Sequence, residues 1–321
     1  MYDAEAVSRE LVRALRGDRS QEQLNRRLRY GSNVVYQWES GRRKPSASAF
    51  FWLAHRVGAD LEGALGALGQ RLSPAAGEPW TLPGLSALIG QISQRHSPAA
   101  LAAGLGTTRH RVGRWLRGEG EPPLPDLLRL VELCTARSLD LLERLVAPSA
   151  LPSAADALAR RQAARCRVHD EPWSAAVQLA LELDRYRALG AHQDGWIAAQ
   201  LGLPVETERA CLAALVEAGD VVQQGGLYQP VEIPRINLAG QPDPLRLRRF
   251  WAAEAMARAR ADGTCKGGWN LFTLAQADVP RVAKLQREYF VALRGLVEQS
   301  QGADVIMLAT MQVQVLGGGE G

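Results

Sequence analysis

One row of three cations in the sequence could bind phosphate groups. Arg42, Arg43 and Lys44 follow Gly41 directly. Guanidinium and ammonium groups bind phosphate oxygens, and such contacts position a protein on a nucleic-acid backbone without reading its sequence. A second basic segment, residues 109–114, reads RHRVGR. These residue types favour phosphate and base contacts, and a solvated basic loop is the simpler alternative for any one of them.

The two basic segments belong to a repeat. Six positions recur with a constant offset of 77 residues and without a gap. They are Leu24, Leu28, Val35, Trp38, Gly41 and Pro45 in the first copy, and Leu101, Leu105, Val112, Trp115, Gly118 and Pro122 in the second. A fixed offset across such positions indicates two copies of one structural unit.

Each copy is predicted to contain two short helices joined by a tight turn. In the first copy, Ser20 and Gln23 have the spacing of a capping box, and the helix that follows has leucines four residues apart on its buried face. The second helix is predicted over residues 32–39, with Val35 and Trp38 facing inward. The second copy has the same pattern, which places helix-turn-helix units in residues 1–71 and 82–146.

The segments "SQEQL", "GSNVVYQWESG" and "RRKPS" resemble the λ-repressor/Cro-like, XRE-type helix-turn-helix family in both composition and spacing. The second copy departs from the family pattern, because Pro98 and Ala99 replace its Gln-Glu start and Leu116 replaces the acidic residue after the aromatic. The resemblance implies a fold of tandem helix-turn-helix domains and binding to double-stranded DNA. A duplicated copy can also keep the fold and lose the contact.

The resemblance also implies which side chains contact DNA. Base contacts are expected from the start of the second helix, where amides suit adenine, a valine methyl suits thymine and arginine suits guanine. Gln21 is expected to anchor a phosphate. The full set is Gln21, Ser32, Asn33, Val34, Gln37, Arg42, Arg43 and Lys44, with Thr108, Arg109, His110, Arg111 and Arg114 in the second copy. Core packing is the alternative for Val34, and a neutral surface role is the alternative for His110.

Residues 165–232 are predicted to form a winged-helix-like domain. The pattern indicates one long helix over 173–189, a short helix and turn over 194–203, and a third helix over 204–218 with Leu212, Leu215 and Val216 inward. A small β-hairpin turning at residues 225–226 follows. The third helix carries Glu206, Glu208 and Glu217 against Arg209 alone, which favours protein interaction or dimerisation over contact with DNA.

Residues 242–316 are predicted to form a small α+β domain for dimerisation or sensing. A helix over 243–261, a strand over 269–274, a long helix over 279–299 and a β-run over 304–316 make up this pattern. The segments "GWIAAQLGL…CLAALVEAGDV", "FTLAQADVPRVAKLQREYF" and "VIMLATMQVQVL" resemble a bacterial family of uncharacterised regulators. That resemblance implies a transcription regulator and no known chemistry. The overall expectation is a mainly α protein.

Composition narrows the class of protein. The 321 residues are 46% hydrophobic with a net charge of +4, and the apolar runs are too short to span a bilayer. The four cysteines have no zinc-ligand spacing and suggest no disulfide framework, so a reduced cytoplasm is the simplest setting. The DNA binding implied by the family resemblance would make the protein nucleoid-associated. No phosphate-loop, zincin or nucleophile-elbow motif is present, so we expect no enzyme, metal or cofactor. Residues 169–171 (His-Asp-Glu) as a metal site and Cys265 as a reactive thiol are weak alternatives.

The leading hypothesis is a sequence-specific transcription regulator that reads DNA through its tandem N-terminal domains and forms a homodimer. The runner-up is a helix-turn-helix adaptor that binds a protein partner instead of DNA. The two differ in one observable, because DNA binding is sensitive to salt.

Overall fold

The computed structural model describes residues 2–68, 77–94, 96–231, 243–259 and 270–316. Over these residues the protein is mainly helical, and a two-stranded antiparallel hairpin is the β-structure they contain. The chain divides into two compact units, residues 1–163 and 164–321. No helix in the described ranges has both the length and the apolar character required to cross a membrane.

The first unit contains both copies of the repeat, with five helices in each. The helices of the first copy are α1 (Ala4–Arg16), α2 (Gln21–Leu28), α3 (Val34–Glu39), α4 (Ala47–Val57) and α5 (Leu61–Ala67). Those of the second copy are α6 (Leu82–Ser93), α7 (Pro98–Leu105), α8 (Arg109–Leu116), α9 (Leu124–Thr135) and α10 (Ser138–Leu145). Two short 3₁₀ turns, Pro148–Ala150 and Pro152–Ala154, lead into α11 (Ala155–Asp170), which contains the boundary between the units.

Local sequence accounts for where these helices begin and end. The predicted capping box is present, with the Ser20 hydroxyl accepting from the Gln23 N–H and the Gln23 side chain accepting from the Ser20 N–H. In the second copy Ser97 caps α7, with a proline at the first helical position. Gly41 and Gly118 both have positive φ after the second helix of their copy, as predicted for a helix stop.

The repeated apolar residues form one core. Leu24, Val35 and Trp38 are buried, and so are their counterparts Leu101, Val112 and Trp115, which confirms their predicted inward orientation. The buried side chains of both copies belong to a single hydrophobic cluster. The two copies are therefore packed into one body.

After the end of α11, the second unit has four helices that contribute to one core, and the hairpin follows them. These elements are α12 (Trp173–Ala180), α13 (Asp184–Arg187), α14 (Trp196–Leu201), α15 (Val205–Glu217), β1 (Val221–Gln224) and β2 (Leu227–Pro230). The strands pair with Val221 opposite Pro230 and turn at Gly225 and Gly226, as predicted. Tyr186, Ile197 and Leu212 lie in the core.

The prediction of one helix over 173–189 was wrong, because the helix ends at Ala180 and the chain turns before Asp184. Leu181 and Leu183 are both buried in the same core. Residues two apart in a continuous helix point to nearly opposite sides, so burying both in one core requires the break. Val216 was also predicted to face inward, yet 42% of it is exposed.

In the described residues, the C-terminal part has both predicted helices but lacks the strands. The first helix ends at Ala257, before the predicted residue 261, and residues 260–261 lie outside the described residues. Helices α16 (Pro244–Ala257) and α17 (Val279–Gln299) are present, with a 3₁₀ turn at Gln276–Asp278. Neither residues 270–274 nor 304–316 form a strand, and the predicted residue 269 lies outside the described residues. An alternating pattern becomes a strand only when a neighbouring strand accepts its hydrogen bonds, and in the described ranges these two segments do not pair.

Candidate nucleic-acid interface

Helix α3 presents a smaller polar surface than the sequence predicted. Ser32 and Asn33 are exposed and precede the helix, which begins at Val34, and Gln37 is half-buried. Val34 is only 8% exposed and belongs to the core, so the prediction that its side chain faces outward was wrong. The six-residue helix buries Val34 as well as Val35, because position 34 lies one turn before the buried Trp38. Tyr36, which sequence reasoning missed, is exposed instead.

A buried asparagine holds the turn between α2 and α3. The Asn25 Oδ1 accepts from the backbone N–H of Val35 at 3.1 Å, and its Nδ2 lies 3.4 Å from the Asn33 Oδ1. These bonds satisfy a backbone donor at the start of α3 and orient the Asn33 side chain. The position of Asn33 is thus set by α2 as well as by its own helix.

Glu39 links α3 to helices α1 and α2. The residue is buried, and its Oε1 accepts from Arg16 Nε at 2.6 Å while its Oε2 accepts from Gln21 Nε2 at 2.6 Å. Its backbone oxygen accepts from an Arg13 guanidinium nitrogen at 2.7 Å. The amide of Gln21, expected to contact a phosphate, is therefore engaged with a buried carboxylate in the free protein.

The basic loop after α3 is exposed at all three of its cations. The Arg42 guanidinium lies over the Tyr36 ring at 5.3 Å from its centroid, and Lys44 Nζ pairs with Glu5 Oε1 at 2.6 Å. The Arg43 backbone N–H donates to the Gln37 oxygen at 3.0 Å, which holds the loop against the end of the helix. Surface pairs of this kind contribute little to stability, so the cations remain accessible to an anionic partner.

Helix α8 of the second copy presents all five of its predicted residues at the surface. Thr108 caps the helix by accepting from the Arg111 N–H at 3.2 Å, and Arg109 and His110 form its exposed first turn. Arg111 lies over the Trp115 ring and 3.4 Å from Asp126, and Arg114 donates to the Glu119 backbone oxygen at 2.8 Å. The structure thus brings a set of guanidinium groups to one helix.

The loop after α8 carries acidic residues where the first copy has cations. At the offset of 77, Glu119 and Glu121 correspond to Arg42 and Lys44. Both oxygens of Glu119 accept from Arg117 at 2.8 Å, and this hydrogen bonding lowers the pKa of the Glu119 carboxyl. Glu121 accepts from the Ser48 N–H at 2.9 Å. Aligning the loops at the repeat offset would have revealed this charge reversal from sequence.

The third helix of the second unit uses one of its glutamates internally. Glu208 is fully buried and accepts from the backbone N–H groups of Ala198 at 2.5 Å and Gly195 at 3.3 Å, so it caps the start of α14. It therefore adds no surface charge of the kind expected to repel DNA, whereas Glu206 and Glu217 are exposed.

Glu208 also belongs to a group of metal-ligand types that the sequence did not reveal. One ligand atom each from Glu208, His192 and Asp194 lies within 4.8 Å of the others. Each of the three already has a protein partner: His192 lies 3.2 Å from the Tyr186 hydroxyl, and Asp194 accepts from Arg209 Nε at 2.8 Å. Hydrogen bonding from Arg209 lowers the pKa of Asp194.

The cysteine and His-Asp-Glu alternatives gain nothing from the described residues. Burial raises the pKa of the Cys211 thiol to about 11, which makes it unreactive at neutral pH. Cys265 lies outside the described residues. His169 Nδ1 lies 3.2 Å from the carboxylate of the exposed Asp170.

Comparisons of the chain with protein-family models, with curated proteins and with solved structures gave no match.

Proposed function

We propose that the protein is a sequence-specific DNA-binding transcription regulator that reads DNA through two helix-turn-helix units, α2–α3 and α7–α8. The observation that carries the proposal is the surface shared by the two copies. Each buries a tryptophan of its second helix and exposes polar or cationic side chains at the start of that helix, Ser32 and Asn33 in one and Arg109 and His110 in the other.

The chemistry of these side chains suits duplex DNA. Asn33 and Gln37 carry amides that pair with adenine, and Arg109 and Arg114 carry guanidinium groups that pair with guanine. Arg42 and Arg43 supply exposed positive charge for phosphates next to the first helix. We place the protein in the cytoplasm, associated with the nucleoid, and assign it no catalytic step and no cofactor.

Binding to random-sequence duplex DNA tests the proposal directly. Fluorescence polarisation with the full chain at 50 and 200 mM salt should show affinity that falls steeply as salt rises. The variant Asn33→Ala with Arg109→Ala should bind more weakly. Arg144→Ala is the matched control, because this exposed cation lies on α10, which packs against α5 and α9. Unchanged affinity in the double variant would contradict the assigned base contacts, and salt-independent binding would contradict the proposed function.

A protein-binding adaptor remains the second candidate, and exposed apolar side chains in the C-terminal part favour it. Phe272, Leu285, Leu296 and Met307 are each more than half exposed. Exposed apolar groups in such numbers mark surfaces that contact another protein. Under the regulator proposal, the same surface serves homodimerisation. The winged-helix-like segment, residues 165–232, precedes it in the chain. Light scattering of the full chain at micromolar concentration separates a dimer from a monomer.

A further inference from the structure

The contact between the two copies is made by equivalent residues. Ser46 and Pro123, which are 77 positions apart, form an isolated antiparallel bridge. Ala47 N donates to the Pro122 oxygen at 2.9 Å, and Leu124 N donates to the Pro45 oxygen at 2.8 Å. Leu124 corresponds to Ala47 and Pro122 corresponds to Pro45, so the two hydrogen bonds are the same bond made once in each direction.

The helices repeat this reciprocity. Helix α5 packs against α10, its own counterpart, and α4 packs against its counterpart α9. Helix α1 packs against α9 while α6, the counterpart of α1, packs against α4, so one contact again occurs twice with the copies exchanged. The leucines of α5 and α10 (Leu65, Leu142 and Leu145), together with Leu68 at the end of α5, are buried in the common core.

Contacts that are unchanged when the two partners are exchanged require a two-fold axis. A head-to-tail arrangement would join one surface of the first copy to a different surface of the second. The first unit is therefore a pseudo-symmetric dimer within a single chain, with its axis passing between Ser46 and Pro123.

Two-fold symmetry constrains the DNA that such a unit reads. The axis relates α8 to α3, and helix-turn-helix pairs related by a two-fold axis read half-sites that are inverted with respect to each other. The two halves also differ chemically, because α3 presents Asn33 and Gln37 where α8 presents His110 and Arg114.

We propose that a single molecule of this protein occupies one complete operator, which is an inverted repeat with unlike halves. This inference rests on the proposed function. Helix α3 reads the half that is richer in A·T pairs, and α8 reads the half that is richer in G·C pairs. A second chain is not required to complete the site. Dimerisation through the C-terminal part would then join two operators instead of completing one.

Selection of bound sequences from random duplexes with the full chain gives the two half-sites. The same halves are then placed in inverted and direct orientation at one spacing, and binding of the unmodified chain is measured. We expect the inverted arrangement to bind at least about 100-fold more tightly, because only it engages both helices. With operator DNA in excess, light scattering of the complex should show one chain per inverted repeat, so that a chain dimer carries two repeats.

A graft that makes the two helices alike sharpens the test. The variant Arg109→Ser, His110→Asn and Arg114→Gln gives α8 the residues that α3 has at the same offset. It should shift selection to a symmetric inverted repeat of the α3 half and lose about 100-fold or more on the original operator. The double variant Arg144→Ala and Arg160→Ala removes two exposed cations outside α3 and α8 and controls for the two lost charges, and thermal melting checks the fold.

The outcomes separate this inference from the proposed function. Salt-sensitive binding that favours a direct repeat or a single half-site, or two chains on one inverted repeat, would overturn the inference and leave the regulator proposal standing. Binding insensitive to salt, with no sequence selected, would overturn both. The orientation test uses the unmodified chain, so it decides the inference even if the graft does not fold.

Discussion

The two copies of the repeat place their positive charge in different parts of one scaffold. The second helix and the residues just before it present Ser32, Asn33 and Gln37 in the first copy, and Arg109, His110 and Arg114 in the second. The loop that follows changes from cationic to acidic. Under the proposed function, the first copy separates base contacts from phosphate contacts and the second combines both on the helix. Duplication with a conserved core thus permits two surfaces to acquire opposite charge patterns.

The same comparison extends into the interior. Glu39 of the first copy is buried and bonded to Arg16 and Gln21. At the offset of 77 these three residues become Leu116, Ser93 and Pro98, none of which carries a charge. A buried carboxylate without its partners is costly, whereas an apolar replacement of the whole group is tolerated. The three positions therefore differ together between the copies. The first copy has a complete buried polar group, and the second copy has none of its members.

Breaking this group should give the largest effect on stability. The variant Glu39→Leu leaves Arg16 and Gln21 without their buried acceptor, and we expect the free energy of unfolding to fall by about 3 kcal/mol. Urea unfolding of the full chain, followed by tryptophan fluorescence, measures it. The triple variant Arg16→Ser, Gln21→Pro and Glu39→Leu transplants the second copy's group and should recover more than half of the loss. Equal losses in the single and triple variants would refute the coupling.

The readout residues should differ in strength between the copies. We expect Arg109→Ala to weaken binding to the selected operator by about 2 kcal/mol and Asn33→Ala by about 1 kcal/mol, because a guanidinium makes stronger, charge-assisted bonds. Fluorescence polarisation measures both at one salt concentration, and unchanged melting temperatures show that the fold is intact. An Asn33→Ala loss larger than that of Arg109→Ala would reverse the proposed division between the copies.

Removing a charge from the loop after the second helix should change the salt dependence of DNA binding differently in the two copies. Removing a phosphate contact with Arg42→Ala should lower the slope of log affinity against log salt by about 1, with little change in sequence preference. Glu119→Gln removes a negative charge at the matching position and should leave the slope unchanged or raise it. A lower slope in both variants would show that the two loops are not electrostatic opposites.

The smallest effect concerns the titration of Glu119. Because Arg117 donates two hydrogen bonds to its carboxylate, the pKa of Glu119 is lower than that of an ordinary carboxyl. The pairing is complete above the ordinary carboxyl pKa and is lost as pH falls through the lowered value. NMR titration should show the midpoint moving up towards the ordinary value in Arg117→Gln. Both groups are exposed, so the melting temperature should hardly change.

Sequence reasoning succeeded where one local signal was sufficient. Trp38 and Trp115 lie in the core as the repeat predicted, and Ser20 forms the predicted capping box. It failed where residues distant in the sequence determine burial or strand pairing. Val34 is buried because the short helix places it one turn before the buried Trp38, on the same inward side. The pattern at 304–316 does not become a strand because pairing requires a partner.

The sequence by itself determined the two copies, their helices and the opposite charges of their loops, because periodicity, caps and a constant offset are properties of the chain alone. Only the tertiary structure decided how the copies face each other. The reciprocal bonds of Ala47 and Leu124 join residues 75 and 79 positions away in the chain, at Pro122 and Pro45. A constant repeat offset in the sequence is compatible with head-to-tail packing as well as with two-fold packing. The two-fold relation between α3 and α8 therefore arises from the contact between the copies.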